Sequence, residues 1–156
     1  MALPQPQNQP STRTSAAGRA SDASASLTVF LVENHEDTRT LLCVMLEALG
    51  HRVTAAGTMA DALKWLPESG CDVLISDIGL PDGDGWELMR RLQLRHPIYA
   101  VAMSGFGMST DSERSYSVGF RHHLVKPYGV EQLPAILREA ALERSRRSPP
   151  ARPSAS

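Results

Sequence analysis

Four polar segments, each directly following an apolar run, carry the residues best suited to chemistry: Glu33-Asn34-His35-Glu36-Asp37, Asp77-Ile78-Gly79-Leu80-Pro81-Asp82-Gly83, Ser104-Gly105 and Lys126-Pro127. Brought together, they would supply a carboxylate pair (Glu33 and Asp77), a hydroxyl and an ammonium. Two neighbouring carboxylates repel unless a cation or a shared proton relieves them. A hard divalent ion such as Mg2+ meets that need, because it takes one or two carboxylates plus oxygens from backbone, water and phosphate. The Lys126 ammonium and the Ser104 hydroxyl would then bind the remaining oxygens of a phosphoryl group. Positioning and charge neutralisation are most of what phosphoryl transfer asks of a protein. Taken singly, each acid also fits a helix cap or a turn; the joint arrangement is what points to chemistry.

The same segments exclude other chemistries. A nucleotide site on this kind of chain places a Gly-rich or Ser/Thr-rich turn after the first strand, so that backbone N–H groups reach phosphate. Here the turn is ENHED, whose acids repel phosphate, and neither GxGxxG nor GxxxxGK[ST] occurs. Cys43 and Cys71 stand 28 residues apart with no CxxC, so a disulfide framework, a zinc site and a redox pair are set aside and both read as buried or inert thiols. His35, His51, His96 and His122 show no HxH or HExxH spacing and read as surface or turn residues. Trp65 and Trp86 read as packing or half-exposed residues of helices. A small hydrolase would need a nucleophile elbow, which is absent.

These segments need a frame to hold them. Apolar runs at 27–32, 52–56, 72–76, 98–103 and 121–125 alternate with helical patterns at 36–49, 58–67, 84–95, 109–118 and 130–143. That alternation predicts an α/β fold with a doubly wound, five-stranded parallel sheet and five helices. Leu42, Met45, Leu46 and Leu49 repeat at helical spacing and Gly50 supplies a stop; Leu133, Ile136, Leu137, Ala140 and Ala141 form the last stripe, with Pro134 in the opening turn. The fourth helix is polar, and only Tyr116 and Val118 offer apolar surface there. In such a sheet, ligands bind beyond the carboxyl ends of the strands, where the four polar segments fall.

The 156 residues, 42% hydrophobic and 21% charged, suit one globular domain, and no apolar run approaches the ~18 residues of a membrane span. Residues 1–26 are a Pro/Gln/Ser/Ala segment expected to be a disordered tail, and 143–156 a basic Pro/Ser-rich tail, leaving 27–142 as the folded domain. The tails carry +1 and +3, which leaves −5 on the domain and argues against nucleic-acid binding. No membrane association is expected, no secretory leader is visible, and a cytoplasmic location follows.

The segments FLVENHEDTRTLL, DVLISDIGLPDGDGWELMRRL, AVAMSGFG and GFRHHLVKPYGVEQL, in this order, resemble the receiver domains of bacterial two-component response regulators, the chemotaxis-regulator type of fold. The resemblance covers residues 27 to about 142 and implies a flavodoxin-like strand order 2-1-3-4-5. It implies that Asp77 is the phosphoacceptor, that Glu33, Asn34, Asp77 and the Gly79 carbonyl hold Mg2+, and that Ser104, Lys126 and His123 form the phosphoryl-binding switch. In it Ser104 moves toward the phosphoryl group and His123 turns into the space vacated; Lys126-Pro127 would be a cis peptide. The partners implied are a sensor histidine kinase or a histidine phosphotransfer protein and a downstream protein, and the chain would be a regulatory phosphoacceptor, not an enzyme in its own right.

The departure is Asn34, where the family usually has Asp. One missing charge at ~4 Å is worth up to ~4 kcal/mol at an effective dielectric near 20, before desolvation offsets it. A weakened metal site is expected. The alternative function is a receiver-like protein-binding module that works without phosphorylation.

Overall fold

The structure is a computed structural model that describes residues 26–92, 94, 97–105, 109–126 and 131–147. Its main sheet has β1 (Thr28–Val32), β2 (Arg52–Ala56), β3 (Val73–Asp77), β6 (Tyr99–Ser104) and β7 (His122–Val125), all parallel, in the order β2-β1-β3-β6-β7. Counting only these five, that is the expected 2-1-3-4-5. Every residue of β3 and β6 is buried, which is why their sequences are almost unbroken apolar runs, whereas the edge strand β2 keeps exposed positions.

Five described helices cover the two faces: α1 (Glu36–Ala48), α2 (Met59–Trp65), α3 (Gly85–Arg91), α4 (Ser109–Ser117) and α5 (Gln132–Arg147). Alternate strand residues divide between two cores. Val29, Leu31, Val73, Ile75, Val101 and Met103 pack with Leu42 and Leu46 of α1 and Leu133, Ile136 and Leu137 of α5. Phe30, Val32, Leu74, Ala100 and Ala102 face the other way, onto Met59 and Ala62 of α2 and Trp86 and Leu88 of α3.

Helix ends follow local chemistry. Gly50 takes φ 94°, the left-handed conformation that a stop after α1 requires. Thr58 Oγ1 caps α2 by accepting from Asp61 N at 3.1 Å, and Asp84 Oδ1 caps α3 by accepting from Glu87 N at 2.7 Å. Pro67 cuts the expected 58–67 helix short: α2 ends at Trp65 and a 3-10 turn, Leu66–Glu68, follows. A small antiparallel hairpin, β4 (Gly79–Leu80) with β5 (Gly83–Asp84), occupies what the sequence presents as loop. Asp82 at its tip accepts from Met59 N at 2.7 Å and Ala60 N at 2.9 Å, tying the hairpin to the start of α2.

Two expectations change. α5 runs to Arg147, so residues 143–147 of the expected tail are helix. Arg144 Nη1 donates to Asp72 Oδ2 at 3.1 Å and to Ser26 O at 3.0 Å, and Arg147 Nη1 to Pro97 O at 3.3 Å, fastening the last turn to the amino-terminal ends of the strands. α4 does form, but Tyr116 points outward at 53% exposure and the residue turned fully inward is Ser115. Of the expected tails, residues 1–25 and 148–156 lie outside the described residues, as do His96 and Pro127 with the expected cis peptide.

Candidate functional site

The register of the sheet assembles the site. Val32 pairs with Ser76, Asp77 with Met103, and Ser104 with Val125, so Glu33, Asp77, Ser104 and Lys126 emerge together at the carboxyl rim of β1, β3, β6 and β7. Lys126 N donates to Ser104 O at 2.7 Å, which anchors the backbone at the end of β7. The lysine side chain reaches back across the rim. Its Nζ donates to Glu33 Oε2 at 2.8 Å and to Asp77 Oδ2 at 3.3 Å.

Electrostatics follow from burial. Glu33 is 0% and Asp77 7% exposed. Burial, then the charge of Glu33, pushes the Asp77 carboxyl above its usual range, against the opposing pull of Lys126. Glu33 is desolvated too, but hydrogen bonds from Lys126 and from His35 N, with the lysine's charge, together outweigh that and hold it low. Burial likewise works against the Lys126 charge, and the bond to Glu33 and the charges of Asp77 and Glu33 reverse it, raising the ammonium above its ordinary range. Of the two acids, Glu33 is the lysine's main partner, and Asp77 is the one kept at higher energy when ionised.

His35, read from sequence as a surface residue, stands at this rim. Its Nδ1 lies 3.2 Å from Glu33 Oε1, and donor atoms of Glu33, His35 and Asp77 fall within 4.8 Å of one another. These three could hold a metal. Asn34 and Gly79 are both exposed; Asn34 O accepts from Arg39 Nη1 at 3.4 Å, and no hydrogen bond of its side chain is found among the described residues. Arg39 Nη1 also donates to Glu33 O at 2.8 Å, clamping the turn that carries both acids. A Cβ on Gly85 would stand 2.8 Å from Asp77 O, so only glycine lets α3 start directly behind the carboxylate.

Ser104 and His123 are already joined: Ser104 Oγ lies 3.0 Å from His123 Nε2. The other ring nitrogen, Nδ1, lies 2.8 Å from Ser115 Oγ, and Trp86 Nε1 donates to that same hydroxyl at 2.9 Å. Both nitrogens of the His123 ring are thus hydrogen-bonded in this structure. Sequence reasoning missed Trp86 and Ser115 because neither type signals chemistry; the only hint is that 111, 115 and 118 also share a helix face. Cys43 and Cys71 form no disulfide with each other, and burial pushes each thiol above its ordinary range.

A family model for the response regulator receiver domain matches residues 29–138. The chain belongs to this family. The receiver is 33% identical over 122 residues to the KDP operon transcriptional regulatory protein KdpE of Escherichia coli (strain K12), covering 78% of this chain and 54% of that protein. It is 31% identical over 121 residues to an uncharacterized 14.6 kDa protein of Leptolyngbya boryana, covering 76% and 92%. It is 35% identical over 133 residues to the virulence sensor protein BvgS of Bordetella bronchiseptica, covering 80% of this chain and 11% of that one. The receiver thus spans about half of the first, nearly all of the second and a small part of the third. Among solved structures, a CheY-like receiver domain protein from Methanospirillum hungatei JF-1 superposes with a TM-score of 0.73 at 22% identity, covering 79% of this chain and 99% of that chain. At this identity the likeness establishes the fold. Among the described residues no helix is long and apolar enough to cross a membrane.

Proposed function

We propose that this receiver is a cytoplasmic phosphoacceptor of a two-component phosphorelay, taking a phosphoryl group onto Asp77 from a phosphohistidine of a sensor histidine kinase or a histidine phosphotransfer protein. The observation that carries the reading is Lys126 Nζ, 3.3 Å from Asp77 Oδ2 at a rim where Glu33 and Ser104 also end their strands. An Asp77 oxygen attacks phosphorus as the P–N bond to the donor imidazole breaks; the electron pair returns to the ring nitrogen, which takes up a proton. Lys126 offsets the growing negative charge and Ser104 donates to a phosphoryl oxygen.

Glu33 and Asp77 fit Mg2+ because they are two buried carboxylates whose mutual repulsion a divalent charge would relieve, with the Asn34 amide oxygen and the Gly79 carbonyl as further oxygen donors. Bound there, the ion would supply Lewis-acid stabilisation of the phosphoryl oxygens. His35 adds a nitrogen donor, which Mg2+, a taker of oxygen ligands, does not favour. The added phosphoryl charge then shifts a protein-binding surface that a downstream partner reads.

Incubation with acetyl phosphate and Mg2+ followed by intact-mass analysis tests the reading. A phosphoryl adduct absent from Asp77→Asn supports it; an unmodified chain, under conditions that label another receiver, overturns it. A second reading is favoured by one observation, the exposed Asn34: a binding module that works without phosphorylation. Asn34→Asp separates the two. Tighter Mg2+ binding and faster labelling support the phosphoacceptor, whereas unchanged metal affinity and partner binding support the module.

A further inference from the structure

We infer that Trp86 and Ser115 are positioning residues that set the direction of a hydrogen-bond chain through His123, so that Ser104 accepts from the imidazole and keeps its own hydroxyl hydrogen to donate. The inference rests on the phosphoacceptor reading and adds to it two residues and a proton arrangement.

The direction follows from what each group can do. An indole N–H only donates, so Trp86 Nε1 fixes Ser115 Oγ as its acceptor, at 2.9 Å. Ser115 is 0% exposed, and among the described residues its hydroxyl has one other partner, His123 Nδ1 at 2.8 Å. If His123 Nδ1 carried a proton, Ser115 would accept twice and its own hydrogen would be buried without an acceptor. A buried donor left in that state loses its hydration with nothing in exchange. Ser115 therefore donates, and Nδ1 is the unprotonated nitrogen.

The rest of the chain is then determined. A neutral imidazole with a bare Nδ1 carries its hydrogen on Nε2, which donates to Ser104 Oγ at 3.0 Å. The imidazolium is disfavoured by the same buried hydroxyl. Burial also holds His123 below its ordinary range; Asp111 on α4 pulls the other way. With a lone pair taken by His123, Ser104 keeps its own hydrogen to donate, at the end of β6, whose neighbour β3 ends in Asp77. A phosphoryl oxygen needs a donor from Ser104. The chain prepares that state before any phosphoryl group arrives.

The indole is itself well held. Trp86 is 8% exposed in the core between α3 and the sheet, and the Arg114 guanidinium lies 4.1 Å from its ring centroid. Arg114 and Ser115 are consecutive in α4, so one turn of that helix grips the ring face and the ring N–H together. Displacement of Ser104 toward a phosphoryl group would pull on His123 and, through Ser115, on α4.

Nitrogen-15 NMR of the full chain reads the proton directly. Long-range proton–nitrogen spectra, with His123 assigned from the signal lost in His123→Gln, are expected to show a protonated Nε2 and an unprotonated Nδ1. A protonated Nδ1 would overturn the inference. Ser115→Ala is expected to release the tautomer preference and to slow labelling of Asp77 by acetyl phosphate on the order of fivefold, the worth of one net hydrogen bond. Ser115→Thr keeps the hydroxyl and should restore both. Loss of rate with an unchanged tautomer, or no rescue by Thr, overturns the inference. The NMR readout on the unsubstituted chain decides the matter even if Ser115→Ala misfolds. Failure of Asp77 to be labelled at all would instead strike the phosphoacceptor reading and leave the tautomer result standing.

Discussion

Lys126 Nζ sits 2.8 Å from Glu33 Oε2, a bond between residues 93 apart in sequence and on strands that are not neighbours in the sheet. The lysine spans β6 and β3 to reach β1, and on the way it passes Asp77 Oδ2 at 3.3 Å. One ammonium thus serves two carboxylates, and the better hydrogen bond goes to the fully buried one.

Removing that ammonium should be costly. In Lys126→Met, Glu33 keeps its burial but loses its cation, and Asp77 is left beside a like charge. Breaking a buried pair from one side costs ~3–5 kcal/mol, and the partial exposure of Lys126 places the expected loss near ~3 kcal/mol. Urea denaturation at neutral pH measures it; a midpoint within error of the unsubstituted chain would show that the pair is solvent-relaxed. Labelling of Asp77 should be lost in the same variant.

Asp77 and Glu33 bear opposite signs in the pH dependence. Burial and Glu33 raise the Asp77 carboxyl, so the fold disfavours its ionised form; that penalty is complete above the raised value and fades as pH falls toward the unfolded value. Asp77→Asn is therefore expected to be more stable than the unsubstituted chain at neutral pH, with the difference shrinking on acidification. Glu33 is held low, so its contribution is present above the ordinary glutamate range and is lost as pH falls through its depressed value. Urea midpoints of both chains between neutral and acid pH check the crossing trend. A less stable Asn variant at neutral pH would reverse the sign assigned to Asp77.

Gly85 has a contact reason for being glycine. A Cβ there would meet Asp77 O at 2.8 Å and Ile78 Cδ1 at 3.1 Å, and the first of these is backbone that cannot swing aside. Gly85→Ala should destabilise by ~1–3 kcal/mol, the range for overpacking. It should also disturb Asp77, visible as a slower labelling rate per folded molecule. Unfolding midpoint and labelling rate, measured on the same preparation, make the test.

The last turn of α5 should matter to stability although it reads as a tail. Arg144 joins Asp72 at 3.1 Å and the Ser26 carbonyl at 3.0 Å, with both side chains part-exposed. Arg144→Ala is expected to cost about 1 kcal/mol, the upper end for a partly exposed pair, and high salt should reduce the difference. Thermal melts at low and high ionic strength would reveal it. An unchanged melting temperature at low salt would return residues 144–147 to the status of an unattached end.

Much of the architecture is legible in the chain itself, for local reasons. The unbroken apolar runs of β3 and β6 follow from burial on both faces, the stripe of Leu42 and Leu46 from one buried helix face, and the stop at Gly50 from its positive φ. Strand ends that carry Glu33, Asp77, Ser104 and Lys126 can be marked as a rim before any coordinates, because a parallel sheet puts all its carboxyl ends on one side. Pairings across that rim are another matter. Which acid Lys126 prefers depends on register and burial, and composition records neither. His35 is the surface turn residue it reads as, 74% exposed, and only the turn after β1 shows that its ring also meets Glu33. Ser115 is the clearest case: hydropathy favours Tyr116 for the inward position, yet the hydroxyl is what the buried indole and imidazole require, and that requirement exists only once α3, α4 and β7 are packed together. Periodicity and turn residues report on neighbours in the chain; hydrogen bonds between distant elements exist only in three dimensions.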